Sequence, residues 1–179
     1  MALGMASIES VFGIFPFLSI GNSKKNMNNF NLRKRSTIFN SVRDNDVYKT
    51  YKTLTNDEKD FIFKHPFTAY KFKDNAIKAS NAVSNFQGAR NGYGDAIRHC
   101  YWCALNQMDA GLNSSLAKEY GDAHENFKDN DINEKTMDLH NNSVGYNLGN
   151  IAIIKGWNKD ESLNQVINAA RHGQLKTLK

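Results

Sequence analysis

Only two prolines, Pro16 and Pro66, and two cysteines, Cys100 and Cys103, occur in the 179 residues. Two cysteines cannot staple a disulfide scaffold or supply a four-cysteine zinc site. Scarce proline beside many long-side-chain helix formers favours helices over a β-sandwich. No run of about 18 apolar residues occurs, so no membrane-spanning helix is expected. HExxH, P-loop and Rossmann glycine patterns are absent, and Ser143 lacks the flanking glycines of a nucleophile elbow.

What is present fits one domain with a tail. At 20.2 kDa, 40% hydrophobic and 23% charged, the chain can bury a core. The net charge of +5 suggests a nucleic-acid partner until it is located. Residues 1–52 hold eight basic and three acidic residues, whereas residues 53–179 hold fifteen of each. The folded part therefore carries no net basic field, and nucleic acid is not indicated for it. The surplus lies in a segment with Lys24-Lys25 and Arg33-Lys34-Arg35, which reads as a solvated linker. Ile8 to Ile20 is apolar but short, with Glu9 and no basic residue at its front, so a conventional signal peptide is not recognised. Residues 1–45 are expected to form an apolar strap and a basic, Asn-rich linker, and residues 46–179 the helical domain.

From residue 53 the pattern is one of successive helices. Thr55 and Glu58 form a capping box, and Pro66 disfavours helical geometry at His65, so a first helix should end near Lys64. A second fits Phe67 to Phe86, with Ala69, Phe72, Ala76, Ala79 and Val83 at helical spacing. Others are expected over Asp95–Asp109, Ser114–Phe127, Glu134–Ile153 and Asp160–His172, with Gly111 and Gly173 as stops. The fold class is all-α, a single bundle of five to six helices with an extended N-terminal segment.

Three of these helices place polar groups where a core stripe belongs. At 100° per residue, the third carries Ile97, Tyr101, Ala104 and Met108 on one face. Asp95, Arg98, His99, Trp102 and Asn106 lie on the other. Asp95 and His99, four residues apart, can meet, the carboxylate orienting the imidazole or sharing a metal with it. His124 aligns with Ala117, Tyr120 and Gly121 and should point inward beside Glu125. Asn141 lies amid Met137, Val144, Leu148 and Ile151, next to Asp138 and Gly145, with His140 at the edge. Such groups satisfy one another as a structural network, or they line a functional pocket for which Gly121, Gly145 and Gly149 leave room.

The chemistry open to them takes two forms. His99, His124 and Asp138 can make a His/His/Asp centre for a divalent metal such as zinc, supported by Asp95, Glu125 or His140. Without a metal, His99 oriented by Asp95 is a general base, Arg98 stabilises an anion, and Glu125 serves as an acid of raised pKa. Cys100-Tyr101-Trp102-Cys103 lies mid-helix, away from the helix N-terminus that activates redox CxxC thiols.

Leu54-Thr55 with Glu58, His65-Pro66 and Ala69 open a longer pattern. It continues with Asn91-Gly92, Asp95-Ala96, Arg98-His99 and Tyr101-Trp102, then Gly121-Asp122-Ala123-His124-Glu125, and ends with Met137-Asp138-Leu139-His140-Asn141-Asn142 and Gly145. Over about residues 53–155 the chain resembles a toxin domain found at the C-termini of bacterial polymorphic, Rhs-type secreted proteins. Cys100 and Cys103 depart from the pattern, where relatives carry small or amide residues, so no obligatory cysteine role follows. The resemblance implies an antibacterial effector delivered into a target bacterial cell. It also implies a secretion-apparatus carrier, a cognate immunity protein and a target-cell macromolecule. The expected activity is hydrolysis, of a phosphodiester or lipid, through His99, His124, Asp138, Asn141, Asp95, Arg98 and Glu125. The alternative is a non-enzymatic toxin that binds and blocks an essential envelope or cytoplasmic protein, the polar cluster holding the fold.

Overall fold

The computed structural model describes residues 52–179. The expected strap at Ile8–Ile20 and the boundary at residue 45 lie outside the described residues. Six helices follow one another among the described residues from Asn56 on, α1 (Asn56–Lys64), α2 (Pro66–Ala82), α3 (Tyr93–Ala110), α4 (Leu116–His124), α5 (Ile132–Lys155) and α6 (Lys159–Arg171). They form an all-α bundle within one compact unit, Thr55–Lys179, and no strand occurs among the described residues. None of these helices is long and apolar enough to cross a membrane.

Local chemistry sets the boundaries. Thr55 Oγ1 accepts from Glu58 N at 3.0 Å, and Glu58 Oε2 accepts from Thr55 N at 2.7 Å, completing the expected capping box. Pro66 is the first residue of α2, where its missing N–H costs nothing. Helix α2 stops at Ala82 rather than Phe86. Asn158 and Glu161 make a second capping box that starts α6.

Helix α3 is the axis of the bundle. From Gly94 to Gln107 every residue but Arg98 is buried, as expected of a helix enclosed by α2, α4, α5 and α6. Its polar face is therefore not a water face. Trp102 is core, with Nε1 donating to Phe72 O at 3.2 Å, and it packs on Tyr120.

The α3–α5 contact corrects the reading of the glycines. A methyl group on Gly145 would collide with the Cys100 carbonyl oxygen and lie 2.8 Å from Cys103 Cβ; one on Gly149 would lie 2.6 Å from Ala104 O. The Tyr146 hydroxyl fills the space over Gly121. None of the three opens a pocket; Gly145 and Gly149 let two backbones close together. For the same reason α5 buries Met137, Asn141, Asn142, Gly145, Tyr146, Gly149 and Ala152. Val144 and Leu148, expected inward, are only half-buried, and Ile151 is exposed, because branched side chains do not fit the seam.

Candidate functional site

The polar residues of α3, the end of α4 and the first half of α5 converge. Asp95 and His99 come from successive turns of α3, Glu125 from the residue capping α4, and Asp138 and Asn142 from α5. All five are buried. His99 is the hub. Its Nε2 lies 3.6 Å from Asp95 Oδ1 and 3.7 Å from Asp138 Oδ1, and its Nδ1 lies 3.4 Å from Glu125 Oε1. Asn142 Nδ2 donates to Glu125 Oε1 at 3.2 Å.

Asp95 is fixed twice, accepting from Asn91 N through Oδ2 and from Arg98 Nη2 through Oδ1. Arg98 is the rim of the site, with its side chain 22% exposed, and its Nη2 also lies 3.4 Å from His99 Nε2. Asp138 is the other member near the surface, at 9%. His99 Nδ1, Asp138 Oδ1, Arg98 Nε and Asn142 Oδ1 are buried without a hydrogen-bond partner. The His99–Glu125 approach is thus close in distance but poorly aligned.

Environment separates the carboxyl groups. Burial pushes the Asp138 carboxyl up to about 6, with Glu125 and Asp95 adding to the rise and His99 and Arg98 opposing it. Burial also disfavours the Glu125 anion, but His99, His124 and the Asn142 amide outweigh it and hold the group at about 2. Glu125 is therefore a fixed anion, not the raised-pKa acid expected from sequence; Asp138 has the raised value. Burial works against a charged His99, yet Glu125 and Asp138 hold its imidazole above the ordinary value.

Two expected members sit elsewhere. His124 is buried, but its Nδ1 faces Glu58 Oε1 at 2.8 Å, and its ring centroid lies 6.4 Å from that of His99. The group whose ligand atoms converge is Asp95, His99 and Asp138, with one atom from each within 4.8 Å of the others, so Asp95 stands where His124 was expected. Asn141 is clamped to the C-terminal segment, donating to Lys176 O at 3.0 Å and accepting from Lys176 N at 2.9 Å. One residue further on, Asn142 faces the cluster. Glu58 and Asn142 are the residues that sequence reasoning missed. Glu58 was absorbed by the capping box, and Asn142 lies about 100° from Asn141 on the helix.

Cys100 and Cys103 are free and buried, and burial pushes both thiols up, the reverse of a reactive pair. A groove of about 650 Å³ lies between α1, α4 and α5, lined by Asp60, Lys64, Lys118, Asp122, Lys135 and Tyr146 among others. None of the cluster residues lines it.

Residues 59–174 match the family described as a domain of unknown function (DUF6973). No solved structure matches the chain.

Proposed function

The chain belongs to the DUF6973 family, and from the motif resemblance and the buried polar cluster we propose that it is a hydrolytic toxin domain of a delivered antibacterial effector, with its chemistry at the His99 cluster. The observation that carries the hydrolytic reading is that the cluster is incomplete. Three carboxylates and an imidazole are drawn out of water, which costs several kcal/mol per ion unless the partners are well satisfied. A network that only locks a fold satisfies its members. Here Asp138 Oδ1 is left without a hydrogen bond, where Arg98 and Asp138 bring the cluster nearest the surface.

The side chains suit attack by water on a phosphodiester or ester. The carboxylates facing His99 polarise a water at the rim. Arg98 offers its guanidinium to the anion that forms there. Glu125, kept ionised, and Asn142 fix the imidazole in place. Delivery on a secretion-apparatus carrier and neutralisation by a cognate immunity protein belong to the same proposal and rest on the motif resemblance.

A second reading has its own support. The groove between α1, α4 and α5 carries charges of both signs and is separate from the cluster. It suits a toxin that blocks a target protein, the cluster then being structural.

The test is to express the toxin domain in bacteria with His99→Gln or Asp138→Asn and compare growth arrest with melting temperature. Toxicity lost at unchanged melting temperature supports hydrolysis. Both substitutions leaving a folded, fully toxic protein would sink it.

A further inference from the structure

The cluster has an anionic surplus. Asp95, Glu125 and Asp138, all buried, approach one buried neutral-or-charged imidazole and a single, partly exposed guanidinium. The distances inside it are informative. A hydrogen bond from His99 Nε2 to a carboxylate would close to about 2.7–3.2 Å. The separations to Asp95 Oδ1 and Asp138 Oδ1 are 3.6 and 3.7 Å. Two atoms bound at about 2.0–2.1 Å to one tetrahedral ion lie roughly 3.3 Å apart. Both carboxylate oxygens are therefore too far from Nε2 to bond it and a few tenths of an ångström beyond that ligand spacing, and the three groups bring ligand atoms within 4.8 Å of one another.

We propose that Asp95, His99 Nε2 and Asp138 hold one divalent transition-metal ion, with a fourth position open to water. The proposal deepens the hydrolytic reading and rests on it for the ion's purpose, since an ion at an open position lowers the pKa of its bound water.

The surrounding residues match what a metal-binding histidine requires. Such a histidine turns its other ring nitrogen to a carboxylate, which fixes the tautomer and the ring. His99 turns Nδ1 towards Glu125 Oε1 at 3.4 Å, near but not aligned as a hydrogen bond, and Asn142 steadies that carboxylate. Asp138 Oδ1, one of the ligand atoms, is buried without a hydrogen bond and faces His99 Nε2. The donor set of one imidazole and two carboxylates suits zinc or manganese rather than a soft-ligand ion. His124 does not join it, because Glu58 holds its Nδ1.

Arg98 is the competing cation. Its Nη2 bonds Asp95 Oδ1 and approaches His99 Nε2, so it stands where an ion would be. Its hold is limited: Nε has no partner, and Nη1 reaches Ala89 O only at 3.5 Å. The partly exposed side chain can swing outward on metal entry. Binding then exchanges a guanidinium for an ion on the same carboxylate.

The experiment uses the full chain without a polyhistidine tag, stripped with chelator and titrated calorimetrically with Zn²⁺ and with Mn²⁺. One equivalent of Zn²⁺ or Mn²⁺ is expected to bind. His99→Gln and Asp138→Asn should each weaken it at least tenfold, and Asn142→Leu about tenfold. Arg98→Met should tighten it by removing the competitor. Because a variant can misfold, Co²⁺ is also added to the unaltered chain. Visible bands typical of low-coordinate cobalt, abolished by stoichiometric Zn²⁺, are expected. Absence of saturable binding by either ion overturns the proposal, as does binding that the His99 and Asp138 substitutions leave unchanged. Hydrolysis by stripped, non-binding protein would overturn the metal site and keep the hydrolase. Binding at the site without hydrolysis of any ester or phosphodiester would keep the metal site and count against the hydrolase.

Discussion

His124 Nδ1 lies 2.8 Å from Glu58 Oε1, in a pair buried between α1 and the end of α4. The same Glu58 caps α1 through its other oxygen. One carboxylate thus joins a helix start to a histidine 66 residues away. The two imidazoles of the core thereby separate into a structural one, His124, and one in the candidate site, His99.

The pair makes stability pH-dependent in a defined direction. Burial disfavours charge on His124, but Glu58 outweighs it and raises the pKa from 6.5 to about 9. A raised folded value means that the native chain holds a proton the unfolded chain has released. The stabilisation is complete below about pH 6.5 and is lost as pH rises through about 9, amounting to roughly 3 kcal/mol. His99, also raised, adds a change of the same sign. Melting temperature of metal-free protein should fall between pH 6.5 and 9.5. Glu58→Gln, which keeps the cap acceptor and removes the charge, should flatten the slope. A melting temperature that rises over that interval would refute the pairing.

Adjacent asparagines on α5 should behave differently. Asn141→Ala removes both hydrogen bonds to Lys176 and should cost about 1–3 kcal/mol, with toxicity per folded molecule retained. Asn142→Leu removes the donor to Glu125 and should reduce toxicity more than stability. Growth assays paired with urea unfolding of both variants separate the effects; equal loss of toxicity in both would contradict the geometry.

Gly145→Ala should be among the most damaging single-methyl additions. The new carbon would strike the Cys100 carbonyl and crowd Cys103, and overpacking of this kind costs about 1–3 kcal/mol or more. Exposed Ser143→Ala on the same helix is the control and should change stability by under about 0.5 kcal/mol. Thermal or urea unfolding of the two variants decides it.

Both cysteines should be silent towards a thiol reagent. They are fully buried, and burial raises their pKa, so the thiolate is neither formed nor reached. A chromogenic disulfide reagent should label neither in native protein and both after denaturation. Rapid native labelling of either would show that α3 opens.

The sequence by itself determined the helices, because their signals are local. Thr55 with Glu58, Pro66, Gly111 and Gly173 act within one helical turn, and the spacing of Ala69, Phe72, Ala76 and Ala79 writes a buried stripe directly. It also determined that Asp95 and His99 meet, since four residues of helix fix that approach. Which carboxylate each histidine faces was decided only in three dimensions. Glu58 is 66 residues from His124 and Asn142 is 17 from Glu125. The second partnership depends on the rotation of α5 against α3, and the rotation is set by steric closure at Gly145 and Gly149 rather than by an apolar stripe. Val144, Leu148 and Ile151 make a plausible hydrophobic face, yet the tighter seam of small residues prevails because close backbone packing gains more contact than branched side chains held apart. Turning α5 onto that seam carries Asn142 to Glu125 and leaves Asn141 to the C-terminal segment.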